Sequence, residues 1–114
     1  MFNIPRAAIN FNDGMGGGDI LENNLLFNTC RESGDHGPVN SWDRQPFLAP
    51  LRYGVPSFEP LVRHIGWNFI MINYGAAQGV DNDDGSSWFR VHHNVWYDSI
   101  GFKMDYGGAV SSLP

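Results

Sequence analysis

The sequence is poor in cysteine, basic residues and long apolar runs, and each shortage excludes a class of protein. Cys30 is the single cysteine, so no internal disulfide can form. No apolar stretch reaches the roughly 20 residues that a membrane-spanning helix needs, so no membrane span is expected. No basic segment followed by an apolar one opens the chain, so no signal peptide is predicted in it. Lysine and arginine number 7 against 12 acids, a net charge of -5, which argues against a nucleic-acid partner.

Helical periodicity is also missing. The chain has 14 glycines and 7 prolines, which favour turns over helices. Apolar residues make up 42% and aromatic residues 14% of the 114 positions, which is typical of a folded chain rather than a disordered one. The composition therefore predicts one all-β domain.

A spaced set of acidic and amide residues is the strongest pattern in the chain. Within this set the first two aspartates are 22 positions apart, the last two are again 22 apart, and an asparagine falls midway between the members of each pair. A period in the low twenties with two polar markers is typical of a coiled repeat. It predicts a right-handed parallel β-helix, a single-stranded solenoid of about 4–5 coils. The spaced residues are Asp13, Asp35, Asp83 and Asp105, with Asn24, Asn68 and Asn94.

The three asparagines share a local context. Each follows an aliphatic residue at a distance of three and precedes three apolar residues. Asparagine tolerates the left-handed backbone conformation and suits a corner between two strands. We therefore expect residues 25–27, 69–72 and 95–97 to stack as parallel strands of one sheet, with Asn24, Asn68 and Asn94 at the corners before them. Side-chain amides one coil apart, about 4.8 Å, can pair along the column.

The domain organisation predicted is one partial β-helix domain over residues 1–114. Four prolines in residues 46–60 break internal ladders, so this Pro-rich segment is expected to leave the coil as an excursion. Repeat sequence is present at both ends, without capping elements, so the chain is expected to be a fragment of a longer β-helix. Exposed coil ends then predict self-association or poor solubility.

Two polar loops gather the groups that can perform chemistry. If Asp35 and Asp83 share a coil position, the loops at 31–44 and 81–85 emerge on the same side. Neighbouring carboxylates repel, which raises the pKa of one and leaves the other ionised, as glycoside hydrolysis requires. Asp43 and Asp84 are the predicted catalytic pair. The alternates are Asp35, Asp81 and Asp83.

Groups that can contact a sugar lie close to these carboxylates. Trp42 and Trp88 can stack on sugar faces, and His36 and Arg44 are predicted substrate contacts. The competing interpretation is that both loops only form turns, because Asp, Asn and Gly favour turns. No cofactor is expected. The Asp81–Gly85 stretch lacks the spacing and the final glutamate of an EF-hand, which leaves a loose calcium site as the alternative.

The histidines do not form a predicted metal site. His92 and His93 are adjacent, so on one strand they face opposite ways and cannot both bind one ion. One exposed and one packed ring is the expected arrangement. His64 alone is not a ligand set, and the lone Cys30 is expected to be buried rather than catalytic.

Three segments resemble a known family. The segments at 35–44 (DHGPVNSWDR), 80–87 (VDNDDGSS) and 101–108 (GFKMDYGG) are similar to a mostly uncharacterised group of right-handed β-helix proteins with the pectate-lyase-like fold, which has relatives among β-helical glycoside hydrolases. The resemblance covers nearly the whole chain. It implies a polysaccharide or glycan as the ligand and a secreted or cell-surface parent protein.

The leading functional hypothesis is therefore a carbohydrate-active β-helix that resembles a glycoside hydrolase. Polysaccharide lyase activity is less favoured, because basic residues are few and the calcium loop is incomplete. The alternatives are a non-catalytic carbohydrate-binding module and a purely structural surface repeat.

Overall fold

The computed structural model describes residues 1–12, 17–42, 61–74, 78–83 and 85–104. Within these ranges the chain forms ten short β-strands and no helix. The strands are β1 (Ile9–Asn12), β2 (Ile20–Glu22), β3 (Leu25–Thr29), β4 (Val39–Trp42), β5 (Arg63–Gly66), β6 (Phe69–Asn73), β7 (Gln78–Asp83), β8 (Phe89–His92), β9 (Val95–Tyr97) and β10 (Ile100–Met104).

The strands associate into three parallel sheets. Sheet 1 has the order β1-β4-β7-β10, sheet 2 the order β2-β5-β8, and sheet 3 the order β3-β6-β9. Each run of three consecutive strands therefore gives one strand to each sheet, and β10 begins a fourth run. Every strand pair is parallel. The all-β, parallel character predicted from the sequence is confirmed, and the strand order is compatible with a parallel β-helix.

The core lies between the inner faces of the three sheets. The register aligns apolar side chains in columns, because successive residues of a strand point to opposite faces. In sheet 1, Val39 pairs with Val80, and Val80 pairs with Phe102. Each fully buried aliphatic side chain contributes about 1.5–3 kcal/mol to stability. The buried core residues are Leu26, Val39, Ile65, Ile70, Val80, Phe89 and Val91, drawn from all three sheets.

The predicted asparagine column is present. Asn24, Asn68 and Asn94 lie directly before β3, β6 and β9, which pair side by side in sheet 3. The Asn68 Oδ1 accepts hydrogen bonds of 3.0 Å from the backbone and side-chain nitrogens of Asn24. The Asn94 Oδ1 accepts the same two bonds, also of 3.0 Å, from Asn68. The predicted strands at 25–27, 69–72 and 95–97 and their corners are confirmed.

The column is also tied to sheet 2. The Asn68 amide donates to the carbonyl of Leu21 at 2.9 Å, and the Asn94 amide donates to that of Ile65 at 2.8 Å. Both acceptors belong to strands that precede the corner. Each of these two amides therefore joins its own unit to the preceding one and sheet 3 to sheet 2.

The sequence predicts a left-handed asparagine at each corner. In the structure the left-handed residue is instead the one directly before the asparagine. Asn23, Trp67 and His93 have φ values of 59, 57 and 50°. The Asn68 side chain satisfies backbone groups on both sides of Asn23. The Asn94 side chain does the same for Trp67, so the next asparagine in the column holds each of these two residues in place. Tryptophan is unusual at such a position, whereas asparagine and histidine are among the residue types enriched in the left-handed region.

The prediction that Asp35 and Asp83 share a coil position, made from the aspartate spacing, was wrong. The residue that pairs with Asp83 is Trp42, so Asp35 does not share the coil position of Asp83. The reason is that the segments between strands differ in length: the separation is 44 residues from Asn24 to Asn68 but 26 from Asn68 to Asn94. Asp13, Asp105 and the expected Pro-rich excursion at 46–60 lie outside the described residues.

Residues 1–4 extend sheet 3 beyond β3. Phe2 forms a parallel bridge with Phe27, and their rings stack with centroids 5.1 Å apart. The Phe27 amide donates to the Met1 carbonyl, and the Ile4 amide donates to that of Asn28. This edge of β3 is therefore paired, which a parallel sheet requires if it is not to recruit another chain.

We expect the asparagine column to show graded contributions to stability. Asn68→Ala leaves the donors of Asn24 and the carbonyl of Leu21 without their partner, which should cost about 2–3 kcal/mol. Asn24→Ala, at the end of the column, should cost about 1 kcal/mol. Urea denaturation measures both. An equal loss for the two variants would contradict the central role of Asn68.

Candidate functional site

The outer face of sheet 1 carries a polar column across four strands. The register places Asn10, Asn40, Asp81 and Lys103 side by side. The Asn40 amide donates to Asn10 Oδ1 at 2.8 Å. The alternation of strand side chains explains this face, because the neighbours of these residues belong to the inward-facing column of Val39, Val80 and Phe102. The polar residues must therefore point outward.

Lys103 pairs with the two acidic residues at the centre of this face. Its Nζ lies 2.9 Å from Asp81 Oδ1 and 3.5 Å from Asp83 Oδ1. Asp81 is only 3% exposed. Burial raises the pKa of its carboxyl above the ordinary value, and the nearby carboxylate of Asp83 adds to this, although Lys103 acts in the opposite direction.

The loop between β3 and β4 packs over part of this face. The Cys30 thiol donates to the His36 carbonyl at 2.9 Å, and the backbone amide of Cys30 donates to the Arg6 carbonyl. Gly37 allows the close approach, since a Cβ atom there would lie 2.6 Å from the carbonyl oxygen of Gln78. Burial raises the pKa of the Cys30 thiol and so favours the protonated donor. The expectation that Cys30 is buried is confirmed.

A cavity of about 180 Å³ opens between this loop and sheet 1. Its wall combines one indole, one imidazole, one amide, one guanidinium and two carboxylates. The Trp42 side chain is 39% exposed. The lining residues are Arg6, Asp35, His36, Asn40, Trp42 and Asp83.

His36 has a defined hydrogen-bonding role in this wall. Its Nε2 contacts the Arg6 guanidinium, and its Nδ1 lies 3.1 Å from Ser33 Oγ. Arginine can only donate, so Nε2 must accept and the ring proton of neutral His36 is assigned to Nδ1. The hydrogen bond to the His36 Nε2 therefore orients the Arg6 guanidinium at the cavity.

The structure brings some of the sequence-predicted site residues together and separates others. Asp35, Asp83, His36 and Trp42 meet at the cavity, whereas Asp81 is buried beside it under Lys103. Trp88 precedes β8 with a φ of 65° and does not line the cavity. The predicted catalytic pair, Asp43 and Asp84, and the predicted contact Arg44 lie outside the described residues.

Three residues of this region were not predicted from the sequence. Arg6 and Asn40 line the cavity, and Lys103 pairs with the acids beside it. Arg6 is far from both polar loops in sequence and carries no local signal. Asn40 and Lys103 occupy outward strand positions, but only the register of β4, β7 and β10 reveals that they face the same acids.

The histidines differ from expectation. His92 and His93 do not face opposite ways, because the left-handed conformation of His93 breaks the alternation of the strand. Their Nδ1 atoms lie 3.0 Å apart. In residues 1–12, 17–42, 61–74, 78–83 and 85–104, no three or more His, Cys, Asp or Glu side chains are grouped to hold a metal ion.

Comparisons with protein-family models, curated proteins and solved structures gave no match to this chain. Among the residues that the structure describes, no helix has the length and apolar character needed to cross a membrane. The site must therefore be interpreted from its own geometry.

The buried acid predicts a pH dependence of stability. The folded-state pKa of Asp81 is raised, so the folded protein binds this proton more tightly than the unfolded chain does. As pH rises from the ordinary value of 3.8 through the raised value, wild type should lose stability relative to Asp81→Asn. Denaturant titrations of both proteins across this range measure the difference, with Glu32→Gln as the surface control. A wild-type gain over Asp81→Asn with rising pH would contradict this environment.

Proposed function

We propose that the chain is a right-handed parallel β-helix that acts on carbohydrate through the cavity on sheet 1. The repeated assignment of consecutive strands to sheets 1, 2 and 3 supports the coil. Right-handedness follows from the general rule for parallel strands joined by a crossover, which holds in about 98% of cases. The parent protein is proposed to be secreted or on the cell surface, where polysaccharides are encountered.

The observation that carries the functional proposal is the composition of the cavity wall. An exposed indole, Trp42, stands beside two carboxylates, Asp35 and Asp83. A sugar presents an apolar ring face and a rim of hydroxyl groups, which match an aromatic surface and a set of hydrogen-bonding groups. Asn40 offers both a donor and an acceptor, and Arg6 offers only donors.

The size of the cavity restricts what it can hold. Its volume of about 180 Å³ lies below the roughly 300–1,000 Å³ of pockets for drug-sized ligands. It therefore suits a single sugar unit, with the rest of a polysaccharide extending over the surface. On the outer face of sheet 1, the exposed Asn10 lies next to Asn40 of the cavity wall and can bind a neighbouring hydroxyl group.

Glycoside hydrolysis is the reaction that this wall can support. It requires one carboxyl group to protonate the glycosidic oxygen and a second carboxylate to act as nucleophile or to activate water. Among the described residues Asp35 and Asp83 line the cavity together. In the sequence Asp43 directly follows Trp42 and Asp84 directly follows Asp83, so the predicted pair remains a proposal for the same reaction.

Binding without cleavage is the second candidate, and one contact favours it. Lys103 lies within 3.5 Å of Asp83 and 2.9 Å of Asp81. A carboxylate that is held by an ammonium group suits a fixed hydrogen-bond acceptor for sugar hydroxyls better than a proton donor. In that case the polysaccharide partner is retained and no bond is broken.

Substitution of the aromatic wall tests ligand binding. Trp42→Ala should weaken polysaccharide binding about tenfold, or about 1.4 kcal/mol, because the stacking surface is lost. Tyr97→Ala is the matched control, since Tyr97 is also exposed but lies on sheet 3. Affinity electrophoresis against a panel of neutral and acidic polysaccharides provides the measurement. Equal losses for the two variants would place binding elsewhere.

Product analysis on the same panel separates the two candidates. Hydrolysis releases reducing ends, elimination gives products that absorb ultraviolet light, and a binding module gives neither. If hydrolysis occurs at Asp35 and Asp83, Asp83→Asn should abolish reducing-end release while binding persists, because an amide cannot take part in proton transfer. Reducing-end release by Asp83→Asn at the wild-type rate would exclude Asp83 as a catalytic residue.

A further inference from the structure

A second cluster of reactive side chains lies on sheet 2, away from the cavity lining. Its outward positions are Glu22, Gly66 and His92 in one register column, and His64 and Arg90 in the next. The corner that follows adds Trp67 and His93. The proposed carbohydrate function uses none of these groups.

The corner brings two imidazole nitrogens together. His92 ends β8, and His93 has a φ of 50°, so the two rings turn to the same side of the chain. The two Nδ1 atoms are 3.0 Å apart. Of two facing imidazole nitrogens only one can carry the shared proton, so the other must offer a lone pair. The same pair can instead offer two lone pairs to one cation.

The surrounding residues hold both rings in place. The His92 ring lies over Gly66, where a Cβ atom would come within 2.2 Å of the His92 Cε1. The indole of Trp67 stacks on the His93 ring, with centroids 4.2 Å apart and planes at 11°. The His64 ring meets His92 edge to face at 5.8 Å. The pair is thus positioned by glycine backbone on one side and by aromatic rings on the other.

The spacing of the two nitrogens selects among metals. Neutral imidazole is the commonest protein ligand for borderline transition metals. If a metal lay about 2.05 Å from each nitrogen, the 3.0 Å separation would give an N–metal–N angle of about 94°. This angle is close to the right angle of tetragonal or octahedral coordination and well below the tetrahedral value, which favours Ni²⁺ or Cu²⁺ over Zn²⁺.

We propose that His92 and His93 chelate a divalent transition metal of the Ni²⁺ or Cu²⁺ type through their Nδ1 atoms. The site has two protein ligands, and water completes the coordination. The shared proton leaves when the metal binds. On the same face, Glu22 belongs to the register column of His92, and Arg90 lies in the adjacent outward column.

Titration with Ni²⁺ alone tests the proposal on the full chain. Calorimetry should show one saturable site, and tryptophan fluorescence should fall in parallel, because the metal binds next to the ring that stacks on Trp67. Trp67→Phe should remove most of the quenching while the heat of binding remains. His92→Gln and His93→Gln should each weaken binding by about tenfold or more, since chelation is lost. His36→Gln, a histidine at the cavity, is the control.

A variant that keeps both histidines tests whether metal binding depends on the position of the two rings or only on the number of histidines. Gly66→Ala keeps both ligands but forces the His92 ring from its place, so Ni²⁺ affinity should fall while circular dichroism and the thermal midpoint stay close to wild type. Zn²⁺ should bind more weakly than Ni²⁺. Absence of saturable Ni²⁺ binding below millimolar concentration, or equal affinity in the His92→Gln, His93→Gln and His36→Gln proteins, would overturn the proposal.

Discussion

The asparagine column is the interaction on which the rest of the structure depends. Parallel strands in separate units have no tight turn to fix their register, and apolar columns alone tolerate sliding. The paired bonds from Asn24 to Asn68 and from Asn68 to Asn94 fix both the spacing and the rotation of successive units. The Asn68 amide is buried and uses both its oxygen and its nitrogen in hydrogen bonds, so it specifies one arrangement, because any shift would leave it unpaired.

Both candidate sites follow from this fixed register. On sheet 1 it aligns Asp81 with Lys103 and Trp42 with Asp83, so an acidic face, its counter-charge and an aromatic wall meet although they are distant in sequence. On sheet 2 it places the backbone of Gly66 beneath His92. At the corner, the left-handed conformation of His93 turns its ring toward that of His92.

The parts of the fold that could be predicted are those with a local sequence pattern. An aliphatic residue, an asparagine and three apolar residues recur together, so sheet 3 could be predicted strand by strand. The equal aspartate spacing misled, because the segments between strands vary in length and residue number does not track register. Trp42, His36 and Asp83 could be predicted as site residues, because they lie in or beside polar segments that gather acidic, aromatic and imidazole side chains.

Other features required three-dimensional information. Arg6, Asn40 and Lys103 converge on sheet 1 only through strand pairing, which no local pattern encodes. The orientation of His93 depends on a left-handed backbone conformation, which the strand pattern does not predict. The rule of alternating strand side chains therefore fails at this residue.

The most direct test of the account is the set of interstrand nuclear Overhauser effects in the isotope-labelled chain of 12.8 kDa. The described register predicts contacts between Leu26 and Ile70, and between Ile70 and Trp96, in a parallel pattern. Side-chain amide protons of Asn24 and Asn68 should also show contacts to the next asparagine in the column. An antiparallel pattern between strands that are neighbours in sequence, with no contact among the three asparagines, would contradict the account.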